Sequence, residues 1–360
     1  MSTRLKPART APALPDAAAS TAAGLRAWIA SGAAQSSSGA FVAWVDRAGG
    51  QGSYEYPEIT GYALTYLASL SALTESERAA GDRAAAWLAT RVGENALAAR
   101  DGWDNDAVYL FDLGVIASGL LLFGGRTRSS SYLEAGSRLA RLLAGAISRP
   151  RGLSAVWEQG PRSGRAGWSI RGVAHLAKLV QALLLSEEPS FAARLIEVVK
   201  SRQEADGRMC TDDDDRGTVM LHPHLYAAEG LWMWGTATGD TNALQHSAAA
   251  LDWVLAHQLD SGGFPRSVAG ADDAAPAVEQ SDVTAQTVRL ALVLGRRTSA
   301  VDRAAARLVE TARTDVAGLA IPYQPEAPDI HLNVWATLFA AQALALSAGD
   351  APQITWRELV

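Results

Sequence analysis

Two kinds of helical segment alternate along this sequence. One kind is amphipathic, at about 75–94, 129–147, 189–203, 241–257 and 299–313; the other is apolar nearly all round and begins near residues 57, 107, 168, 222, 281 and 331. An amphipathic helix buries one face, whereas a helix apolar on every side is enclosed on most of them. The apolar segments recur at roughly the 50-residue spacing of large repeat units. A chain of 360 residues also exceeds the roughly 50–200 residues that one ordinary core supports. Six hairpins closed into a ring, apolar helices inside and amphipathic helices outside, satisfy both observations. The expected fold is all-α, a closed (α/α)6 toroid over 17–348, with a disordered tail at 1–16 and a second tail at 349–360.

Each inner helix is preceded by a polar loop. The first carries Tyr54, Glu55 and Tyr56 and runs into Pro57 and Glu58. Proline suits the first helical turn, where its missing N–H would be unpaired anyway, and a carboxylate there faces the positive end of the helix dipole. Later loops carry Trp103, Asp104 and Asp106; the Gly/Arg/Trp-rich stretch before Trp168 and Arg171; Asp212 to Asp215 before His222 and His224; Glu279 and Asp282; and Tyr323, Asp329 and His331. Thr74 is a candidate N-cap for the helix at 75–94. Phe41 to Val45 is the clearest extended segment.

Composition excludes several classes. The net charge is −6 and no long basic run appears, so nucleic acid is not an expected partner. Cys210 is the single cysteine, which rules out an intramolecular disulfide and a cysteine-rich zinc site, and leaves an incidental thiol. No apolar run reaches the roughly 18 residues that span a bilayer, and the first residues lack the apolar core of a secretory signal. A soluble, cytoplasmic protein with no membrane partner is expected.

The turns at Gln203–Gly207 and Gln258–Gly262, with the alternating helices, resemble the toroids of terpenoid cyclases and protein prenyltransferases. The six loops before the inner helices resemble those of six-hairpin glycosidases, including unsaturated glucuronyl hydrolases and polysaccharide lyases. Tyr56-Pro57-Glu58-Ile59-Thr60-Gly61-Tyr62 and Phe111-Asp112-Leu113-Gly114 are similar to segments of toroid proteins encoded with bacterial polysaccharide genes, with Leu113 standing where that pattern has a small polar residue. The resemblance spans about 40–348 and implies a carbohydrate-active enzyme.

In a ring of this kind every inner helix points the same way, so the six loops meet at one rim. The residues expected there are Tyr54, Glu55, Tyr56, Glu58, Trp103, Asp104, Asp106, Trp168, Arg171, His222, His224, Tyr226, Glu229, Glu279, Asp282, Gln286, His331 and Trp335. Aromatic faces take the apolar side of a pyranose, and paired carboxyls act as acid and base or nucleophile. Glu58, Asp106, Glu229, Glu279 and Asp282 are the candidate acids and bases, the rest the candidate substrate-binding groups. Asp106 and Asp282 also occupy positions suited to helix caps. His175 reads as a core residue inside an apolar helix, and His246 and His257 as surface residues.

His222, His224 and Glu229 lack the helical spacing of a zinc site, so no metal or other cofactor is expected. Asp212 to Asp215 formally fits the acid motif of class II terpenoid cyclases, but four adjacent acids followed by Arg216-Gly217 read as solvated charge, and aromatics are only 7% of the chain. The leading expectation is glycoside hydrolysis on a glycan or uronic-acid sugar. Uronate elimination or C5 epimerisation, with Arg171 neutralising the sugar carboxylate, is the second; an isoprenoid cyclase and a non-catalytic glycan-binding toroid are the others.

Overall fold

A computed structural model describes residues 13–46, 50, 52–97, 105–148, 153–158, 168–269, 277–315, 317–327, 331–349 and 354–360. Its outer helices are α1 (Leu14–Ala30), α3 (Glu75–Glu94), α5 (Ser130–Ile147), α8 (Pro189–Lys200), α10 (Thr241–Leu255) and α12 (Ser299–Thr311). The inner ones are α2 (Pro57–Ser69), α4 (Leu110–Thr127), α9 (Leu221–Thr238), α11 (Ser281–Val293) and α13 (Val334–Ala348). The third inner position is filled by a broken element: α6 (Trp168–Arg171), a 3-10 stretch Ala174–Leu179, and α7 (Val180–Leu185).

Each inner element packs on the next, and α13 packs on both α2 and α1, which closes the ring of an (α/α)6 toroid. Burial follows the expected division. Nearly every residue of α4 from Leu110 to Phe123 is buried, whereas α12 buries only Val301, Ala304, Ala305, Leu308 and Thr311 along one stripe. Pro57 opens α2, and Thr74 caps α3 in a full capping box with Glu77. The break in the third inner position departs from the continuous helix expected at 168–185. Gly172 follows Arg171, and Val173 adopts φ −126°, ψ −8°, outside the helical well; glycine costs about 1 kcal/mol in a helix interior.

Inner helices approach closely where glycines remove side chains. A Cβ on Gly119 would sit 2.3 Å from the carbonyl oxygen of Gly61, and one on Gly230 would sit 2.3 Å from the backbone of Ala177. Backbone cannot swing aside as a side-chain tip can. Gly119→Ala is therefore expected to lower stability by about 1–3 kcal/mol through overpacking, despite the better helix propensity of alanine; urea unfolding measures it.

Short strands tie the rim loops in pairs. β1 (Trp44–Asp46) pairs antiparallel with β8 (His331–Asn333), β2 (Val108–Tyr109) with β3 (Val156–Glu158), and β4 (Val219–Met220) with β5 (Ser267–Val268). The first pair joins the first loop to the last across the seam of the ring. A fourth pair, β6 (Arg313–Asp315) with β7 (Gly318–Ala320), is a local hairpin.

At the far end, residues 354–360 enter the ring. Leu359 and Val360 are fully buried. Gln181 Nε2 donates to the carbonyls of Arg357 (2.8 Å) and Leu359 (3.1 Å), and Val360 N donates to Gln342 Oε1 at 3.1 Å. Lys178 Nζ donates to Val360 O at 2.6 Å and to Glu229 Oε2 at 2.6 Å, while Arg289 Nε donates to Glu229 Oε1 at 2.8 Å. These three charged side chains are almost wholly enclosed.

Candidate active site

The N-terminal ends of all six inner elements surround a cavity of about 240 Å3. Glu58 comes from the first turn of α2, Asp112 from the first turn of α4, Ser169 and His175 from the third position, His222 and Tyr226 from α9, Gln280 from the start of α11, and Trp335 from α13. Tyr56, Asn105, Tyr109, Arg266 and Tyr323 complete the wall from the rim loops. Helix N-termini carry unpaired N–H groups and the positive ends of their dipoles, so this end of the ring favours anionic ligands. The next cavity, about 210 Å3 between α1, α2 and α13, is lined by Ala19, Tyr66, Leu70 and Ile354, and its one charged side chain, Arg26, is already paired with Glu77 at 2.5 Å. Acid–base groups converge only in the first of these two.

His222 has a buried partner. Its Nδ1 lies 2.7 Å from Oδ2 of Asp282, a close polar contact without the alignment of an ideal hydrogen bond. Asp282 is fully buried one helix away on α11 and sits against the Nδ1 side of the ring. The His222 ring also sits edge-on to Tyr226 at 4.3 Å. His175 reaches the same cavity from the third position and packs against Phe111 at 5.5 Å. Burial, with help from His222, pushes the His175 imidazole down to about 3. Burial raises the Tyr226 and Tyr62 phenols well above the usual range, so both stay protonated donors. Gln280 Nε2 donates to the Tyr323 hydroxyl at 2.8 Å, and Asn105 Nδ2 to the Tyr109 hydroxyl at 2.8 Å. The indole N–H of Trp335 has no hydrogen-bond partner among the described residues. Arg266, exposed at the mouth, makes no ion pair among them.

Of the residues expected at the rim, Tyr56, Glu58, His222, Tyr226 and Trp335 line this cavity. Asp282 stands behind His222, and Tyr54 packs on Tyr56 with ring centres 5.5 Å apart. Gln286 lies one turn deeper than Asp282, fully buried, with neither amide atom bonded among the described residues.

Others are placed elsewhere. Glu229 is the centre of the buried Lys178–Arg289 cluster. Glu279 is gripped by Arg307 (2.9 and 3.0 Å) and by Ser261 (2.8 Å). His224 accepts from Met209 N at 3.2 Å and faces the Ala250 carbonyl at 3.0 Å, a core arrangement. Arg171 donates to Asp212 at 2.5 Å and lies 3.6 Å from Asp214, and Arg202 pairs with Asp213, so the acidic run is tied to α6 and to the end of the preceding outer helix and does not line the cavity. Glu55 accepts from Ser36 (2.7 Å) and Ser38 (2.6 Å). Asp106 is half-buried beside the wall, and His331 is stacked on Trp44 outside it. Trp103, Asp104 and the side chain of Trp168 lie outside the described residues.

The residues expected at the rim do not include Asp112, Arg266, Asn105, Tyr109 or Tyr323, although the segment of Asp112 and the loop of Tyr323 stand out in the sequence, and His175 reads there as a core residue. His175 is indeed buried, 2% exposed, but on the wall of the cavity. Asp112 is 5% exposed and sits in the resemblance-bearing segment Phe111–Gly114, which was the available signal.

The histidine environments make a pH prediction. Burial holds His175 near 3 and His224 near 4, against an ordinary value of 6.5. Below about pH 6.5 the unfolded chain takes up protons that these two do not accept in the fold, so stability present above pH 6.5 is lost as pH falls toward 4 and then 3. In NMR, these two of the six histidines are expected to show neutral imidazole shifts at pH 5, with His175→Gln and His224→Gln giving the assignments. Titration of both near pH 6.5 would contradict the described burial.

No family model and no curated protein sequence matches this chain. Solved structures do. An unsaturated glucuronyl hydrolase specific for heparin aligns with TM-score 0.70 at 11% identity, covering 93% of this chain and 97% of its own. An unsaturated glucuronyl hydrolase from Bacillus sp. GL1, described as responsible for glycosaminoglycan degradation, aligns with TM-score 0.64 at 14% identity, covering 95% and 98%. A sugar epimerase from a ruminal bacterium aligns with TM-score 0.69 at 8% identity, covering 93% and 99%. At these identities the likeness establishes the shared toroid fold.

Proposed function

We propose that this protein is a carbohydrate-active enzyme that binds an acidic sugar in the central cavity and releases it by hydrolysis. The observation that carries this reading is the convergence of Glu58, Asp112, His175 and His222 on one cavity with Arg266, whose guanidinium makes no ion pair among the described residues. An arginine fork matches a carboxylate geometrically, and Arg266 takes the anchoring role that the sequence suggested for Arg171. Tyr56 and Trp335 offer ring faces to the apolar side of a pyranose. Asp112 and Glu58, from neighbouring inner helices, divide the acid and base roles: one protonates the departing oxygen, the other draws the proton from the water that replaces it. His222, held by Asp282, supplies a third proton-transfer group. The unsaturated glucuronyl hydrolases that share the fold motivate unsaturated glucuronyl oligosaccharides as the first substrates to assay.

A second reading rests on the histidine pair. Two imidazoles on adjacent inner elements suit removal of a carbon-bound proton from one face of a sugar and its return to the other, and a sugar epimerase shares the fold. Product analysis in D2O separates the two: epimerisation places deuterium on the sugar carbon and cleaves nothing, whereas hydrolysis yields a new reducing sugar. For either reaction, Arg266→Gln is expected to raise KM at least tenfold for acidic substrates and to leave neutral analogues within about twofold. Equal effects on both would remove Arg266 from substrate binding.

A further inference from the structure

The cavity is small, and a row of aromatic contacts runs from its wall to the seam of the ring. At about 240 Å3 it falls below the roughly 300–1,000 Å3 of pockets that enclose drug-sized ligands, so it holds one sugar-sized group and the rest of any chain leaves over the rim. From the cavity wall a row of rings in contact runs to the seam of the ring, through the buried Tyr54: Trp335 to Tyr56 at 6.4 Å, Tyr56 to Tyr54 at 5.5 Å, Tyr54 to Trp44 at 5.3 Å, and Trp44 to His331 at 5.1 Å. The first two residues line the cavity; the last two lie beyond it.

Trp44 and His331 are brought together by the strand pair at the ring's seam. Trp44 stands opposite Asn333 and His331 opposite Asp46, so the two share one face of the ladder as diagonal neighbours, within aromatic reach. Their rings lie nearly parallel, at 13°. His331 is exposed and Trp44 half-buried, so the pair forms part of the rim surface.

We infer that the stacked Trp44–His331 pair is an outer subsite that binds the oligosaccharide beyond the terminal sugar. The inference rests on the acidic-sugar reading of the cavity and adds that the substrate is a chain, gripped along the seam formed by β1 and β8. A flat platform next to the exit offers the apolar face of a pyranose a partner at little ordering cost, because the strand pair already fixes both rings.

The test uses the full chain carrying Asp112→Asn, so that bound sugars are not turned over, and two probes: glucuronate, and an unsaturated glucuronyl tetrasaccharide prepared from hyaluronan. Calorimetric titration is expected to show the tetrasaccharide binding at least tenfold more tightly than glucuronate. Adding Trp44→Ala or His331→Ala should remove most of that advantage and leave glucuronate binding within about twofold, with thermal unfolding unchanged to a few degrees. His331→Phe, which keeps a flat ring, should restore it. Equal weakening of both probes, or no weakening of the tetrasaccharide, overturns the outer subsite while leaving the cavity reading intact. Failure of both probes to bind the parent variant overturns the acidic-sugar reading and the subsite with it.

Discussion

Replacing Glu229 by Gln is expected to cost about 3–5 kcal/mol of folding stability, the usual penalty for breaking a buried ion pair from one side. Glu229 is completely enclosed, and both of its carboxylate oxygens are used, one by Lys178 at 2.6 Å and the other by Arg289 at 2.8 Å. Its loss leaves two cations with no buried counter-charge. Burial already pulls Lys178 down to about 7, so the amine can shed its proton, but Arg289 keeps its charge, and its guanidinium is packed 3.9 Å over the Phe339 ring. Urea unfolding at pH 7 measures the effect. Replacing all three charged residues together by apolar ones of similar volume should cost far less, because the penalty lies in the unpaired charge. Large loss of activity with unchanged stability would instead make Glu229 a catalytic residue.

That role for Glu229 was not legible in the sequence, and the reason is physical. A carboxylate inside an apolar helix signals only that something compensates it. In α9 the compensation is Lys178 and Arg289, from neighbouring inner elements; for Asp282 it is His222, which opens onto the cavity. Glu229 lies in the interior of α9 and Asp282 in the first turn of α11, but neither position names its partner. Asp112 and His175 were hidden for a related reason: a wall residue in the first turn of a buried helix is as enclosed as a core residue, and both sit in apolar runs. Arg266 follows a Gly-Gly-Phe turn that reads as a helix stop. The ring itself was legible because it depends on long periodic segments, such as α4 and α13 against α5 and α12, and on local signals such as Pro57 and the Thr74 capping box. The strand pairs that lace the rim have two or three residues each, too short to carry a period, and the broken third helix turns on the single glycine at 172.

Asp112→Asn is expected to lower turnover of an unsaturated glucuronyl oligosaccharide by about 10²–10⁴-fold, the range that a positioned acid or base supplies. Asparagine preserves size and most polar contacts, so KM should move little and the unfolding midpoint should stay within a few degrees. Glu58→Gln is expected to behave similarly, because Glu58 faces the same cavity from α2. Glu279→Gln and Asp106→Asn are the contrasts: neither lines the cavity, and each should leave turnover within a few-fold. If Glu279→Gln abolished turnover while Asp112→Asn did not, the chemistry would lie at the outer loops and not at the helix ends.

The most direct measurement is a crystal structure of the Asp112→Asn variant soaked with an unsaturated glucuronyl oligosaccharide. The terminal ring should lie between Glu58, His175 and His222, its carboxylate against Arg266, and the chain should leave past Tyr56 toward Trp44. A sugar bound at the far end of the ring or on the outer helices, with the central cavity left unoccupied at saturating ligand, would contradict the proposal that the six helix ends form the active site.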